Sequence, residues 1–314
     1  MKKSIKRLLS CILSGVMAGS CFVAADAAEV MYGDVDKNGA INSSDALIVL
    51  TNTVGARELT AEETKLSDVD ANGVINSSDA LDILLYSVGS LTKFKAELPD
   101  APKTGDEMLA IYANAVKKAR KELPSYRIEI NTESKDADLN VTGLIPVSKK
   151  DLEQMKSDME GTDYYRTTCP QKSSLSASNL PAECLLKDSS KLKSIKTEVL
   201  QNGNFKIDIK FNDEKNPKSD SPLCKAFGMV DFASMEETIS SSAEIEGMSI
   251  PVELKEMNYK NSWISCEINP ETGEFVSLDW NFDAVMVTNI PLGIATIASS
   301  VTETENAHYW DFGY

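Results

Sequence analysis

The feature that most restricts the fold of this chain is an internal repeat. Residues 34–45 read DVDKNGAINSSD, and residues 68–79 read DVDANGVINSSD. Over 22 positions aligned from Asp34, 15 residues are identical, and each copy continues into an apolar stretch ending in Val-Gly, at Gly55 and Gly89. Such close similarity at a spacing of 34 residues indicates two copies of one structural unit.

Each copy predicts a twelve-residue calcium loop, because oxygen-bearing groups stand at positions 1, 3, 5, 7, 9 and 12 and glycine stands at position 6. The glycine allows the sharp turn, and position 7 contributes a main-chain oxygen. The predicted ligands are Asp34, Asp36, Asn38, Ala40, Asn42 and Asp45 in the first loop, and Asp68, Asp70, Asn72, Val74, Asn76 and Asp79 in the second. The alternative is a pair of acidic turns without metal.

The segments around these loops differ from those of an ordinary EF-hand. Apolar residues recur with helical spacing after each loop, and Thr60-Ala-Glu-Glu63 predicts a short capped helix between the repeats. If the chain is cleaved after Ala27, about six residues precede Asp34, too few for an entering helix. Position 12 is also Asp, where an EF-hand usually has Glu.

This order of loop, helix, short helix, loop and helix resembles a type I dockerin over residues 31–92. The resemblance rests on the duplicated pattern D-V-D-x-N-G-x-I-N-S-S-D-A-L. It implies an all-α module that holds two Ca²⁺ ions and binds a cohesin module of a scaffoldin. Such modules belong to secreted multi-enzyme complexes, cellulosomes, that degrade plant polysaccharides.

The resemblance also implies which residues contact the partner. Family members read the partner with loop positions 10 and 11, here Ser43-Ser44 and Ser77-Ser78, although these serines could instead cap the helices. A basic pair is frequent further along each helix in the family, whereas this chain has Leu50-Thr51 and Leu84-Leu85 there, which predicts a more apolar interface. The predicted contact residues are Ser43, Ser44, Leu47, Leu50, Thr51, Ser77, Ser78, Leu81, Leu84 and Leu85.

The first 27 residues predict an export signal. Lys2, Lys3, Lys6 and Arg7 precede an apolar run, and Ala25-Asp-Ala27 forms a cleavage motif. We therefore expect a secreted protein, extracellular or held at the cell surface through a scaffoldin, without a membrane span after cleavage. A retained anchor and a lipoprotein attached through Cys21 are the alternatives. Cleavage removes four cations and one anion, which takes the formal charge from −16 to −19.

That acidity argues against nucleic acid as a partner, because phosphates would be repelled. The single histidine, His308, excludes sites that need two imidazoles.

Residues 93–104 contain two prolines and lack periodicity, which predicts a linker. Residues 105–314 predict an α+β domain with a curved antiparallel sheet. A capped helix begins after Thr104 and stops near Pro124, and two hairpins turn at Asn202-Gly203 and Pro270–Gly273. Further helices near residues 148–160 and 231–241 could cover the sheet.

The function of residues 105–314 is open between a non-catalytic binding or structural domain and a glycoside hydrolase acting on plant polysaccharide. A shallow apolar pocket for a lipid-like ligand is a third alternative. A hydrolase needs two facing carboxylates, and Glu267, Glu274, Asp279 and Asp283 lie on or near the second hairpin. Tyr309 and Trp310 are candidates for an exposed sugar-stacking platform.

Four cysteines remain after the signal: Cys169, Cys184, Cys224 and Cys266. An even number in an exported protein permits two disulfides. The expected bridge joins Cys169 and Cys184, which bracket a serine-rich loop.

Overall fold

A computed structural model describes residues 30–144, 147–242, 244–245, 248–249 and 251–314. These residues form two compact units, divided between Ala96 and Glu97. The predicted export signal lies outside the described residues and stays a prediction. No helix in the described ranges is long and apolar enough to cross a membrane.

The first unit is helical. Its helices are α1 (Ser43–Thr53), α2 (Ala61–Ser67) and α3 (Ser77–Ser87). Thr60 caps α2, as its capping box predicts. Helices α1 and α3 pack against each other, and equivalent residues of the two repeats meet in one small core. The fully buried members of that core include Val35, Val49, Val69, Ile83 and Phe94. The repeat in sequence is therefore a repeat in packing.

Phe94 corrects the predicted start of the linker. Its ring is fully buried and stacks on Tyr86, with 4.7 Å between the ring centroids. The backbone N–H of Ala96 also donates to the carbonyl oxygen of Val69, 3.0 Å away. These contacts extend the first unit two to four residues into the stretch predicted as linker. The sequence did not indicate this, because Phe94 is a single apolar residue among charged neighbours.

The second unit contains a mixed set of helices and a large antiparallel sheet. Its helices are α4 (Gly105–Glu122), α5 (Lys149–Met159), α6 (Ser174–Asn179), α7 (Pro222–Phe227) and α8 (Phe232–Ser242). Its strands are β1 (Ser125–Gly143), β2 (Gly161–Cys169), β3 (Ser194–Val199), β4 (Phe205–Lys210), β5 (Glu214–Lys215), β6 (Glu244–Ile245), β7 (Met248–Ser249), β8 (Glu253–Asn269), β9 (Glu274–Pro291) and β10 (Ala295–Gly313).

The main sheet has the strand order β2-β1-β10-β9-β8-β4-β3, and β5 also pairs with β8. Every pairing in it is antiparallel. The predicted hairpins are β3–β4 and β8–β9, and the helices predicted near residues 148–160 and 231–241 are α5 and α8. The predicted class, a helical module followed by an α+β domain with a curved antiparallel sheet, is confirmed.

Helix α4 packs on the sheet because its apolar residues repeat at helical spacing. Tyr112, Ala115, Val116 and Ala119 are buried in the core of the unit. Thr104 forms the expected capping box with Glu107. The helix ends at Leu123, which takes a left-handed conformation (φ 49°) directly before Pro124. The opposite face of β3 and β4 carries polar side chains, as alternation along a one-sided sheet requires.

The predicted disulfide is not formed in this structure. The cysteines of the described residues are all free thiols. Cys169 ends β2 opposite Tyr126, and the thiol of Cys184 donates to the carbonyl oxygen of Leu186 at 3.9 Å. Burial raises the pKa of Cys184 to about 11. Both side chains therefore pack as small hydrophobic groups within the core.

Candidate functional site

Both repeats fold into tight loops whose backbone matches the predicted calcium loop. Position 6 has positive φ in each, 84° at Gly39 and 79° at Gly73. Position 4 also has positive φ, 59° at Lys37 and 55° at Ala71. Left-handed conformations two residues apart curl the chain around a common centre, and glycine adopts that region without a steric penalty.

The curl brings three carboxylates together in each loop. Asp34, Asp36 and Asp45 each offer an oxygen, and those atoms lie within 4.8 Å of one another. Asp68, Asp70 and Asp79 form the same group in the second loop. Oxygens placed about 2.3–2.6 Å from one Ca²⁺ ion can lie at most about 5 Å apart. The spacing and the all-oxygen donor set therefore fit calcium.

Position 12 closes each loop from the first turn of the following helix. Asp45 and Asp79 are fully buried. One oxygen of Asp45 accepts from the backbone N–H groups of Val35 (2.8 Å) and Asp36 (3.1 Å), and the other accepts from that of Asn42 (2.9 Å). A carboxylate oxygen has two lone pairs, so these bonds orient the group, occupy both lone pairs of Oδ1 and leave one on Oδ2 for a cation.

Hydrogen bonds join the remaining predicted ligands to one another in each loop. The side-chain oxygen of Asn38 accepts from the backbone N–H of Ala40 (2.9 Å), and the side-chain amide of Asn42 donates to the carbonyl oxygen of Ala40 (2.9 Å). Asn72, Val74 and Asn76 repeat both bonds at 2.7 and 3.0 Å. The structure thus brings all twelve predicted groups into two clusters, while their role as calcium ligands stays a prediction.

The electrostatics of these clusters favour a cation. Burial raises the pKa of Asp79, and the negative charges of Asp70 and Asp68 raise it further. Lys37, the basic residue of the first loop, pairs with Glu62 on α2. Three close carboxylates therefore repel one another, and a divalent ion would relieve that repulsion.

The predicted contact residues lie along the outward faces of α1 and α3. Leu47 is 60% exposed and Leu81 is 55% exposed. The other predicted contact residues are exposed, except that Thr51 is half-buried. Helix caps are supplied by Asn42 and Asn76, not by the neighbouring serines. The serine side chains are therefore left at the surface, and the alternative that they serve as the caps is wrong.

The two outward faces are similar but not identical. Val54 and Val88 end them equivalently and are both largely exposed. Thr51 donates its hydroxyl to the carbonyl oxygen of Ile48 (2.8 Å), whereas the equivalent Leu85 is an exposed apolar side chain. At this position the face of α3 is therefore the more apolar of the two.

The acids singled out in the second hairpin each have a partner in the described structure. Glu267 accepts from the side-chain amides of Asn202 and Asn204 (2.9 and 2.6 Å), and Glu274 pairs with Lys118 (3.3 Å). The carboxylate of Asp279 lies 2.5 Å from His308 Nδ1. Asp283 accepts from the amide of Asn261 (2.5 Å) and the hydroxyl of Thr304 (2.8 Å). These contacts tie the acids to neighbouring side chains.

The predicted aromatic platform at Tyr309 and Trp310 is wrong for Tyr309. That side chain is buried, and its hydroxyl donates to the carbonyl oxygen of Asn179 (2.6 Å). Adjacent residues of a strand face opposite sides, so Trp310 points the other way. Its ring stacks on His308 (centroids 4.8 Å apart), and the Arg166 guanidinium lies 5.4 Å from its centroid.

Comparisons with known proteins bear on the first unit. The model of the family described as "Dockerin type I domain" matches residues 32–84. Two solved structures from Acetivibrio cellulolyticus also match, each a complex of the third cohesin of ScaC with the ScaB dockerin displaying a type I interaction.

One complex carries a mutation in the C-terminal helix and is 32% identical, over 22% of this chain and 97% of the matched chain. The other carries a mutation in the N-terminal helix and is 33% identical, over 21% of this chain and 94% of the matched chain. The TM-score is 0.21 in both cases. Curated proteins gave no match to the chain.

The family match coincides with the duplicated loops and the helices that follow them. Type I dockerin domains bind calcium, and the paired carboxylate clusters fit that property. Within residues 32–84 the chain belongs to the type I dockerin family.

Proposed function

We propose that this protein is a secreted component of a cellulosome-type complex, which docks to a scaffoldin cohesin through a calcium-dependent dockerin and thereby carries the second unit. One observation carries the proposal. Helices α1 and α3 present similar exposed faces, and each helix directly follows a loop in which three carboxylates cluster. The match to complexes of a cohesin with a dockerin supports the choice of partner.

Calcium in each loop would stabilise the first turn of the helix that carries the docking face. Asp45 and Asp79 are both proposed ligands and members of the capping boxes of α1 and α3. An ion in each loop, two in total, would therefore hold the first turn of each helix, where the exposed serines lie. Loss of the ions would loosen both faces together.

The exposed leucines supply the apolar part of the contact. Burying a leucine side chain contributes about 1.5–3 kcal/mol, and serine hydroxyls can hydrogen-bond a partner at the rim. Because either helix can present the face, one substitution leaves the other face intact. A test therefore needs both helices altered.

Capture of the full chain by immobilised type I cohesins tests the proposal. We expect binding in calcium and none in EDTA, and we expect the double variant Leu47→Asp/Leu81→Asp to lose binding while each single variant keeps it. Leu185→Asp is the matched control, because Leu185 is 61% exposed on the second unit. Binding that persists in EDTA, or in the double variant, would rule the docking mode out.

For the second unit we propose a non-catalytic binding or structural role. Support comes from the four hairpin acids, each held by a neighbouring side chain. Incubation of the full chain with plant polysaccharides, assayed for new reducing ends, tests this role. Release of sugars would favour the glycoside hydrolase instead.

A further inference from the structure

A pocket of about 510 Å³ lies on the polar face of the second unit's sheet, where β3, β4 and β8 run side by side. Hydroxyl, ammonium, carboxylate and indole groups line it. They belong to Ser194, Lys196, Asp208, Lys210, Trp263 and Ser265.

The strand register arranges these six residues in two parallel rows. One row is Lys196, Asp208 and Ser265, and the other is Ser194, Lys210 and Trp263. Neighbouring strands lie about 4.8 Å apart, and residues two apart on a strand are separated by about 6.8 Å. The rows therefore form a patch roughly 10 Å by 7 Å on a rigid sheet, an area that accommodates a sugar ring.

The patch holds two ammonium groups against one carboxylate, and neither ammonium group is ion-paired within the described residues. Lys196 and Lys210 are exposed, and no carboxylate of the described chain comes within ion-pairing distance of either ammonium group. They are diagonal neighbours, about 7–8 Å apart at the backbone, so both can reach one anionic group. Asp208 between them accepts from the hydroxyl of Ser265 (2.6 Å). In a chain of formal charge −16, such a pair of free cations marks a place for an anion.

Trp263 gives the same patch an apolar floor. Its side chain is half-exposed, whereas the next residue, Ile264, is buried on the opposite face. An indole on the polar side of a sheet leaves apolar surface in water. A flat aromatic ring accepts the C–H face of another ring, and Ser194 and Ser265 lie beside it as partners for hydroxyl groups.

We propose that this pocket binds a saccharide bearing carboxylate groups, that is, a chain of uronic acid units. Lys196 and Lys210 hold the carboxylate, Trp263 packs beneath the ring, and the serines bond its hydroxyls. The inference rests on the proposed binding role of the second unit and is independent of docking to cohesin. The saccharide is bound unchanged.

Calorimetric titration of the calcium-loaded full chain with trigalacturonate tests the pocket. The methyl-esterified trimer is the matched ligand, because it keeps the rings and lacks the charge. We expect binding of the acid, weaker binding of the ester, and affinity that falls as salt rises. Lys196→Gln/Lys210→Gln and Trp263→Ala should each weaken binding about tenfold or more.

Lys206→Gln is the matched control. Lys206 lies on the same face of β4, opposite Glu198 and Glu267, and its loss should change the affinity by less than about twofold. All these residues point to the surface, so far-UV circular dichroism should be unchanged in every variant.

Three results would overturn the pocket assignment. The first is no binding of trigalacturonate, and the second is a loss of affinity in Lys206→Gln as large as that in Lys196→Gln/Lys210→Gln. The third is an affinity for a triglutamate peptide equal to that for trigalacturonate, which would indicate a non-specific response to charge. Capture by cohesin should be the same for every variant. Cleavage of the trimer would instead contradict the proposed non-catalytic role, so the two failures are distinguishable.

Discussion

The carboxylate of Asp45 accepts a hydrogen bond of 2.8 Å from the backbone N–H of Val35, ten residues earlier in the chain. Asp79 repeats this bond to Val69 at 3.2 Å. One buried side chain therefore closes the loop at its start and completes the capping box of the helix that follows the loop. The two functions share one carboxylate, whose Oδ1 accepts from the start of the loop and whose Oδ2 accepts from Asn42, and this couples the loop to the first turn of the helix.

We expect Asp45→Asn and Asp79→Asn to lower calcium affinity about tenfold or more at the altered loop, because one of three charges is lost while an oxygen acceptor is retained. Calorimetric titration of the full chain measures both the affinity and the number of ions. The wild type should bind two ions, and the double variant should lose both tight sites.

Lys37→Gln is the control for this change. The lysine side chain pairs with Glu62 and supplies no oxygen to the carboxylate cluster. Calcium binding by the Asp45→Asn/Asp79→Asn variant as tight as that of wild type would show that the carboxylates are not the ligands.

Phe94→Ala should destabilise the first unit by about 3–5 kcal/mol, the usual range for removing a buried aromatic ring. The ring fills the space beside Gly33, where a Cβ atom would approach Phe94 Cε2 to 2.7 Å. Hydrogen exchange measured by mass spectrometry should accelerate in peptides from residues 32–92 and stay constant in peptides from α4. Leu47→Ala, at an exposed position, should leave exchange unchanged. Unaltered exchange in Phe94→Ala would mean that the ring is not part of the core.

Glu305 should make the second unit less stable as pH rises through the weakly acidic range. Burial raises the pKa of its carboxyl above the ordinary value of 4.5, and nearby Glu303 adds to this, although the Trp280 indole N–H opposes it. The folded state then holds a proton that the unfolded state releases. The contribution of Glu305 to the free energy of unfolding is therefore fully present below pH 4.5 and is lost as pH rises through the higher folded-state pKa.

Glu305→Gln removes that titration, so its stability advantage over wild type should be small near pH 4 and larger near pH 7. Denaturant unfolding at several pH values measures the difference. Glu198→Gln, at an exposed position, should show a constant offset. A Glu305→Gln advantage independent of pH would contradict the raised pKa.

Much of the first unit could be predicted because its information is local. Its sequence signals act within a few residues of one another: the ligand spacing, the glycine at position 6, the capping residues and the apolar periodicity. The duplication makes each signal appear twice. The same locality explains why α4 and both hairpins of the second unit begin and end close to where their sequence signals stand.

Contacts between distant segments required the tertiary structure. Phe94 reads as one apolar residue among charged neighbours, and only its packing on Tyr86 places it in the core. Cys169 and Cys184 suggested a bridge by number and spacing, yet each has its own buried surroundings. Tyr309 and Trp310 separate because a strand sends adjacent side chains to opposite faces.

The amino-acid sequence by itself determined the two duplicated acidic loops, the helices that follow them and the dockerin assignment, because these depend on residues close together in the chain. The tertiary structure alone assembled Lys196, Lys210 and Trp263 from three strands into one pocket. A large aromatic at a polar-face position of β8 was the sequence signal for that site. Its meaning depended on strand register, which is set by pairing between residues as many as 57 positions apart, Asp208 and Ser265.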